Sequence, residues 1–321
     1  RYPVLYLLDG DFCLGMAIDI ANYLRIGEYI PEILIVGVGY GTKLPPDQGG
    51  SNMRSRDFWP FSAESGTKSS GEVFRLFLEQ ELVPFVDSTY RSDPSRRALY
   101  GFSLGGLFGL YILFRDPALF NAYILVSPTL MPTTDNILEQ AEQFVNSHSD
   151  CHAKVYLCTG ELEFNVSRFK RLIDTFTKGH LASFYVEWET YLRGVHLTMP
   201  AEALTKGLRA IFGMKSLYEA AFNAYQRGGV NAAIGLYHEL KDKHAAEYDF
   251  SQRELNDFGY GLLYNDKVED AIEVLKLNVA AYPEDWNPYD SLGEAYMVAG
   301  RAALAIENYE KTNGQIFNVG L

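Results

Sequence analysis

Only three cysteines occur in 321 residues, Cys13, Cys151 and Cys158, which excludes a disulfide framework and leaves at least one thiol unpaired. They also lack metal-ligand spacing. Neither an H-E-x-x-H helix nor a P-loop is present, so no metal or cofactor is expected. No apolar run reaches the roughly 20 residues of a membrane span. Clustered Lys and Arg are missing too, and 28 basic residues against 41 acidic ones give a formal charge of −13. Neutralising phosphates needs clustered cations, so a nucleic-acid partner is disfavoured. An initiator Met and a signal peptide are also missing. The chain runs from Arg1 straight into YPVLYLLDG, as a processed or partial chain would, and the compartment stays open between cytoplasm and periplasm.

What is present is apolar and aromatic: 47% hydrophobic residues, with 22 Tyr and 20 Phe supplying most of the aromatic share. That suffices for sizeable cores, and at roughly 150 residues per domain the length predicts two. Short apolar runs at 3–8, 32–40, 97–100, 122–126, 154–158 and 184–188 read as strands. Helical periodicity is clearest at 71–89, 104–114, 165–177 and 201–212. Continuous apolar strands alternating with helices predict an α/β architecture, a mostly parallel sheet covered on both faces. Functional loops then belong at the carboxyl ends of the strands. Residues 41–70 show neither periodicity and read as a long loop, either a lid over a site or a surface excursion.

After Gly213 the strand signals vanish and a 34-residue period appears. It relates Gly259 to Gly293, Leu262 to Tyr296, Asp266 to Gly300 and Ala271 to Ala305. Thirty-four is the tetratricopeptide period, with small residues where paired helices approach closely. A first unit with Ala221, Gly228, Ala233 and Tyr237 matches in the same order after a four-residue offset. The expected division is therefore 1–213, a catalytic α/β domain, and 214–321, an all-α domain of about three tetratricopeptide-like units. Acidic residues outnumber basic ones more densely in the second segment.

Gly101-Phe102-Ser103-Leu104-Gly105 matches G-x-S-x-G, a weak signal until its context is read. A strand precedes it and a helix follows, the setting that a nucleophile elbow requires. Serine needs a general base oriented by an acid, and in this architecture acid and base follow in the loops after later strands. Of six histidines, only His196 lies on the correct edge. His148, His152 and His180 fall at the opposite edge, and His238 and His244 in the repeats. The acid is Glu163 or Glu161, with Glu163 taken first. Backbone donors for an oxyanion are expected at Leu104 and in the loop after the first strand, at Asp11 or else Phe12. Arg56, Trp59 and Phe102 are candidate substrate contacts. For Arg54, Arg56 and Asp57 the competing reading is an ion pair pinning the long loop. For Phe58, Trp59 and Phe61 it is anchorage in the core.

YPVLYLLDGD, RSRD (residues 54–57), SGEVFRLFLEQELVPFV, GFSLGGL and GVH, taken in that order, resemble the esterase D-type branch of the α/β hydrolases, which includes siderophore esterases. The resemblance covers about residues 2–213. It implies an α/β-hydrolase sheet with flanking helices, Ser103 as nucleophile, His196 as base and the 160–163 loop as source of the acid. Three departures stand out: Phe102 where many relatives carry His, Glu rather than Asp as acid, and no strands ahead of YPVLYLL. The expected activity is cleavage of a small-molecule carboxylic ester through an acyl-enzyme. Acyl transfer to another acceptor would use the same residues. The other class of function is a module that binds a protein or peptide through its repeats, with an inactive hydrolase domain.

Overall fold

Side chains of the first strand point alternately into two separate apolar layers, and this double burial sets the architecture. In β1 (Tyr2–Leu8), Val4, Tyr6 and Leu8 enter one core while Leu5 and Leu7 enter the other. A strand buried on both faces carries no polar alternation, hence the continuous apolar run. The computed structural model describes residues 1–27, 29–41, 50–62, 67–179, 181–245 and 247–316. It divides into two compact units, Arg1–Gly213 and Met214–Leu321.

The first unit's sheet adds β2 (Leu34–Val38), β3 (Ser92–Phe102), β4 (Ala122–Val126), β5 (Asp150–Gly160) and β6 (Ala182–Tyr191). All its pairings are parallel, in the order β2-β1-β3-β4-β5-β6. The chain steps from β1 to one side and then returns to the other. This reversal opens a crevice at the carboxyl ends of β1 and β3. The helices of this unit are α1 (Gly10–Ile26), α2 (Gly50–Phe58), α3 (Ser70–Phe77), α4 (Val83–Thr89), α5 (Leu104–Arg115), α6 (Asn136–Ser147), α7 (Val166–Lys178) and α8 (Pro200–Phe212). One face is covered by α1 and α8, through Cys13, Ala17, Leu24, Ala203, Leu204 and Leu208. The other face receives α5, buried from Gly105 to Leu113, with Phe58 of α2 and the apolar stripes of α6 and α7.

Three expectations are corrected. Residues 41–70 are not structureless, because α2 runs through them. Phe58 is its buried apolar anchor, too little for a periodic signal, and Arg54 holds the helix by an ion pair. Residues 42–49 and 63–66 of that stretch lie outside the described residues, as does His180. The loop expected after the first strand, with Asp11 or Phe12 in it, is helical from Gly10 on. Asp9 alone makes the turn in a left-handed conformation (φ 58°), and Gly10 and Asp11 already form the first turn of α1. The single helix expected over 71–89 is interrupted by a π-helical turn, Leu78–Leu82, just before Pro84. Proline has no N–H and crowds the preceding turn, and the wider π geometry absorbs the misfit.

The second unit begins with β7 (Lys215–Ser216) and continues through α9 (Leu217–Lys243), β8 (Tyr248–Asp249), α10 (Gln252–Leu263), α11 (Val268–Ala281), α12 (Trp286–Val298) and α13 (Ala302–Ile316). The all-α expectation is corrected by the β7–β8 pair, joined where Lys215 N–H donates to the Glu247 carbonyl at 2.9 Å. Two residues per strand leave no sequence pattern. The helix α9 breaks at Gly228–Gly229, and Gly229, not Gly228, takes the left-handed turn (φ 71°). Residues 34 apart play matching parts. Asp266 and Gly300 are both left-handed (φ 59° and 71°), and Ala271 and Ala305 are both fully buried. A Cβ on Gly259 would fall 2.6 Å from Leu275, and one on Gly293 would fall 2.7 Å from Tyr309. Among the described residues no helix is long and apolar enough to cross a membrane.

Candidate active site

Four turns at the carboxyl edge of the sheet carry non-glycine residues in left-handed backbone: Asp9 after β1, Ser103 after β3, Ser127 after β4 and Arg193 after β6. Such conformations are disfavoured for side-chain-bearing residues and gather where a site needs them. At Ser103 (φ 58°, ψ −116°) the chain turns directly from β3 into α5. Gly101 is needed because a Cβ there would lie 2.2 Å from the Gly105 carbonyl oxygen. The turn is held where Ser103 N–H donates to the Val126 carbonyl at 2.9 Å. Ser103 and the α5 N-terminus thus meet at one point, where unsatisfied N–H groups and the positive end of the helix dipole favour negative charge.

His196, in the loop after β6, puts Nε2 2.9 Å from Ser103 Oγ. Its Nδ1 lies 3.1 Å from Glu163 Oε2, in the loop after β5. A carboxylate only accepts, so the imidazole proton sits on Nδ1 and the Nε2 lone pair faces the serine. Glu161 does not join this chain, because its carboxylate accepts the Arg193 N–H at 3.0 Å. Burial pushes the Glu163 carboxyl up. Hydrogen bonds from His196 and Ser127 more than offset it, and the group is held below the ordinary carboxylate range. The Phe102 ring lies 4.6 Å from the imidazole, tilted by 35°.

Leu104 is the first residue of α5 and Asp11 the second of α1, and these helices leave the paired strands β3 and β1 side by side. Phe12 N–H is spent on the Asp9 carbonyl at 2.9 Å. The Asp11 carboxylate accepts from Tyr40 N–H at 2.6 Å and Gly41 N–H at 3.3 Å, tying the exit of β2 to α1. Arg56 is exposed and pairs with its neighbour Asp57 at 2.6 Å. Trp59 and Phe61 meet edge to face at 5.5 Å and pack, half-buried, on the α5-side core. Among the described residues no group of His, Cys, Asp and Glu is arranged to hold a metal ion.

A family described as "Putative esterase" matches residues 1–193, more than half of the chain. The chain belongs to this esterase family. Among its relatives is the ferri-bacillibactin esterase BesA of Bacillus subtilis, 33% identical over 181 residues that cover 50% of this chain and 60% of that protein. The apo-salmochelin esterase of Escherichia coli is 33% identical over 165 residues, 46% of this chain and 49% of that one. The chain thus spans about half the length of the curated relatives it matches. The crystal structure of the BES protein from Bacillus cereus matches with a TM-score of 0.58 at 27% identity, over 65% of this chain and 82% of that one.

Two further residues stand in the Ser103–His196–Glu163 neighbourhood without a motif to mark them. Ser127 is fully buried, and its hydroxyl donates to Glu163 Oε2. Its only sequence signal is position, as the first residue after the strand between those that end at Ser103 and Glu163. Asp9 carries no motif, yet its carboxylate takes two hydrogen bonds from Arg54.

Proposed function

We propose that the protein is a serine hydrolase that cleaves carboxylic esters through an acyl-enzyme. The observation that carries this reading is the unbroken hydrogen-bonded chain from Ser103 Oγ through His196 to Glu163. In this reading His196 Nε2 removes the Ser103 proton as Oγ attacks the ester carbonyl. Negative charge then develops on the carbonyl oxygen, and the N–H groups of Leu104 and Asp11 at the two helix starts receive it. The tetrahedral intermediate collapses as Nε2–H protonates the leaving alkoxide. Water, deprotonated by the same nitrogen, releases the acid and restores Ser103. Glu163 keeps the proton on Nδ1 and stabilises the imidazolium formed at each step. No cofactor enters these steps.

Arg56, Trp59 and Phe102 are proposed as substrate contacts. Relatives named for bacillibactin and salmochelin make siderophore esters the first substrates to test. We also propose that 214–321 is a tetratricopeptide-like array offering a surface to a peptide, on the strength of the matching residues 34 apart. A hydrolase domain that is only a scaffold is not favoured, because it would have no use for the strained Ser103 turn or its paired base.

Fluorophosphonate labelling of wild type and Ser103→Ala tests the central reading. Covalent labelling of wild type, lost in the variant, is expected together with turnover of p-nitrophenyl esters. A well-folded wild type that neither labels nor turns over sinks it. A competing alcohol that diverts most of the acyl group from water identifies a transferase instead.

A further inference from the structure

The strand between the two halves of the site ends on a residue with no place in the three-residue chain. Ser127 follows β4, which pairs with β3 on one side and β5 on the other, so it sits between the exits that carry Ser103 and Glu163. It is fully buried and left-handed (φ 44°). Neighbouring chain fixes it there: its N–H donates to the Cys158 carbonyl at 2.7 Å, and the Pro128 carbonyl after it accepts from Asn165 Nδ2 at 2.9 Å. Its hydroxyl touches both remaining members of the chain, donating to Glu163 Oε2 and lying 3.1 Å from His196 Nδ1.

We infer that Ser127 is a positioning residue that orients the imidazole both directly, at Nδ1, and through Glu163. The inference rests on the hydrolase reading above. A hydroxyl has one proton, and a carboxylate can only accept it, so the proton points to Oε2 and an oxygen lone pair is left facing Nδ1–H. The Nδ1 proton is therefore shared between Glu163 Oε2 and Ser127 Oγ, each 3.1 Å away. Two acceptors fix the ring plane as well as the tautomer, whereas one carboxylate oxygen would leave the ring free to swing about a single contact. Ser127 also occupies a lone pair of Oε2 and so fixes the rotation of the carboxylate. Gly160 N–H contributes from the other oxygen at 3.4 Å. Neither proton nor electron is consumed: the hydroxyl donates to Glu163 and accepts from His196 throughout the cycle.

The decisive comparison uses Ser127→Gly and Ser127→Ala, alone and combined with Glu163→Ala. Glycine removes the hydroxyl while suiting the left-handed backbone, so it separates the hydroxyl's role from relief of strain. Alanine is the second probe should glycine loosen the chain. Both single variants are expected to lose about tenfold to a hundredfold in kcat and in fluorophosphonate labelling rate, with KM within about twofold. In the Glu163→Ala background, removing the hydroxyl should cost a clearly different fold-loss from that in wild type, because its contact with the carboxylate is gone and only its contact with Nδ1 remains. Wild-type rates in Ser127→Gly, or the same fold-loss with and without Glu163, overturn the assignment. A wild type inert to the fluorophosphonate overturns the hydrolase reading beneath it.

Discussion

Arg54 grips Asp9 with two hydrogen bonds, Nε to Oδ1 at 2.5 Å and Nη2 to Oδ2 at 2.9 Å, and the same Nη2 reaches the Phe102 carbonyl at 3.1 Å. One guanidinium thus joins α2, the turn that opens α1 and the residue before Ser103. The two helix starts proposed to bind the oxyanion are locked together by it. Asp9 is nearly buried, so Arg54→Ala strands a carboxylate in the interior. A loss of about 3 kcal/mol is expected, with kcat falling as the two helix starts loosen. Lysine offers no planar fork and should rescue little. Arg56→Ala should leave the urea midpoint essentially unchanged, because Arg56 is exposed and its ion pair is with the adjacent Asp57. A rise in KM for that variant would then report substrate contact directly. Urea denaturation with p-nitrophenyl acetate kinetics separates the two arginines.

The two glutamates of the β5 loop divide sharply. Glu163→Ala should lower kcat/KM by on the order of 10²–10⁴-fold, the range for loss of the residue that orients a catalytic histidine. Glu161→Ala should stay within about threefold, since that side chain only closes the loop onto Arg193 N–H. Reversed magnitudes would move the acid to Glu161 and overturn the assignment of Glu163.

Much of this is legible in the sequence, for identifiable reasons. The strands stand out because burial on both faces makes them continuous apolar runs. Ser103 and His196 stand out because chain order and sheet edge together exclude the other histidines. Glu161 and Glu163 are not separable there, since they lie two apart in an irregular turn whose geometry no sequence period fixes, and that geometry decides which carboxylate meets His196. The helix α2 is invisible because an ion pair and a single buried Phe hold it, and neither leaves a period. Ser127 is hidden because a lone serine at a strand end looks like any turn residue until its partners, 36 and 69 positions away, are known.

Glycines sort by what surrounds them. Gly101→Ala would drive a Cβ to 2.2 Å from the Gly105 carbonyl oxygen, a contact that only backbone movement can relieve. A loss of about 3 kcal/mol or more is expected, along with collapse of activity. Gly15 lies exposed within α1, and a Cβ added there would meet nothing within 4 Å. Gly15→Ala should stabilise by up to about 1 kcal/mol, from helix propensity alone. Thermal melts of both variants check the contrast, and equal effects would mean that the elbow is more tolerant than its geometry implies.

All three thiols are buried and unpaired. Burial pushes Cys13 and Cys151 up to about 11 and raises Cys158 further. Thiolate is the reactive form, so native protein at about pH 8 should react with a thiol reagent only as fast as it unfolds. Three equivalents should appear at once in guanidinium. A fast native equivalent would reveal an accessible thiol at odds with these cores.

Acid sensitivity follows from the same carboxylate that orients His196. Burial opposes ionisation of Glu163, but hydrogen bonds from His196 and Ser127 prevail and hold it below its ordinary value of 4.5. A carboxyl depressed by folding contributes its full stabilisation above the unfolded value, and loses it as pH falls through the folded one. Glu163→Gln has no such group to titrate. The stability gap between wild type and this variant should therefore narrow as pH falls below about 4.5, where the unfolded chain already holds the proton. Urea denaturation of both proteins over a series of acidic pH values measures the gap. A gap that stays constant, or widens, would mean that the Glu163 carboxylate is not held by its hydrogen bonds in solution.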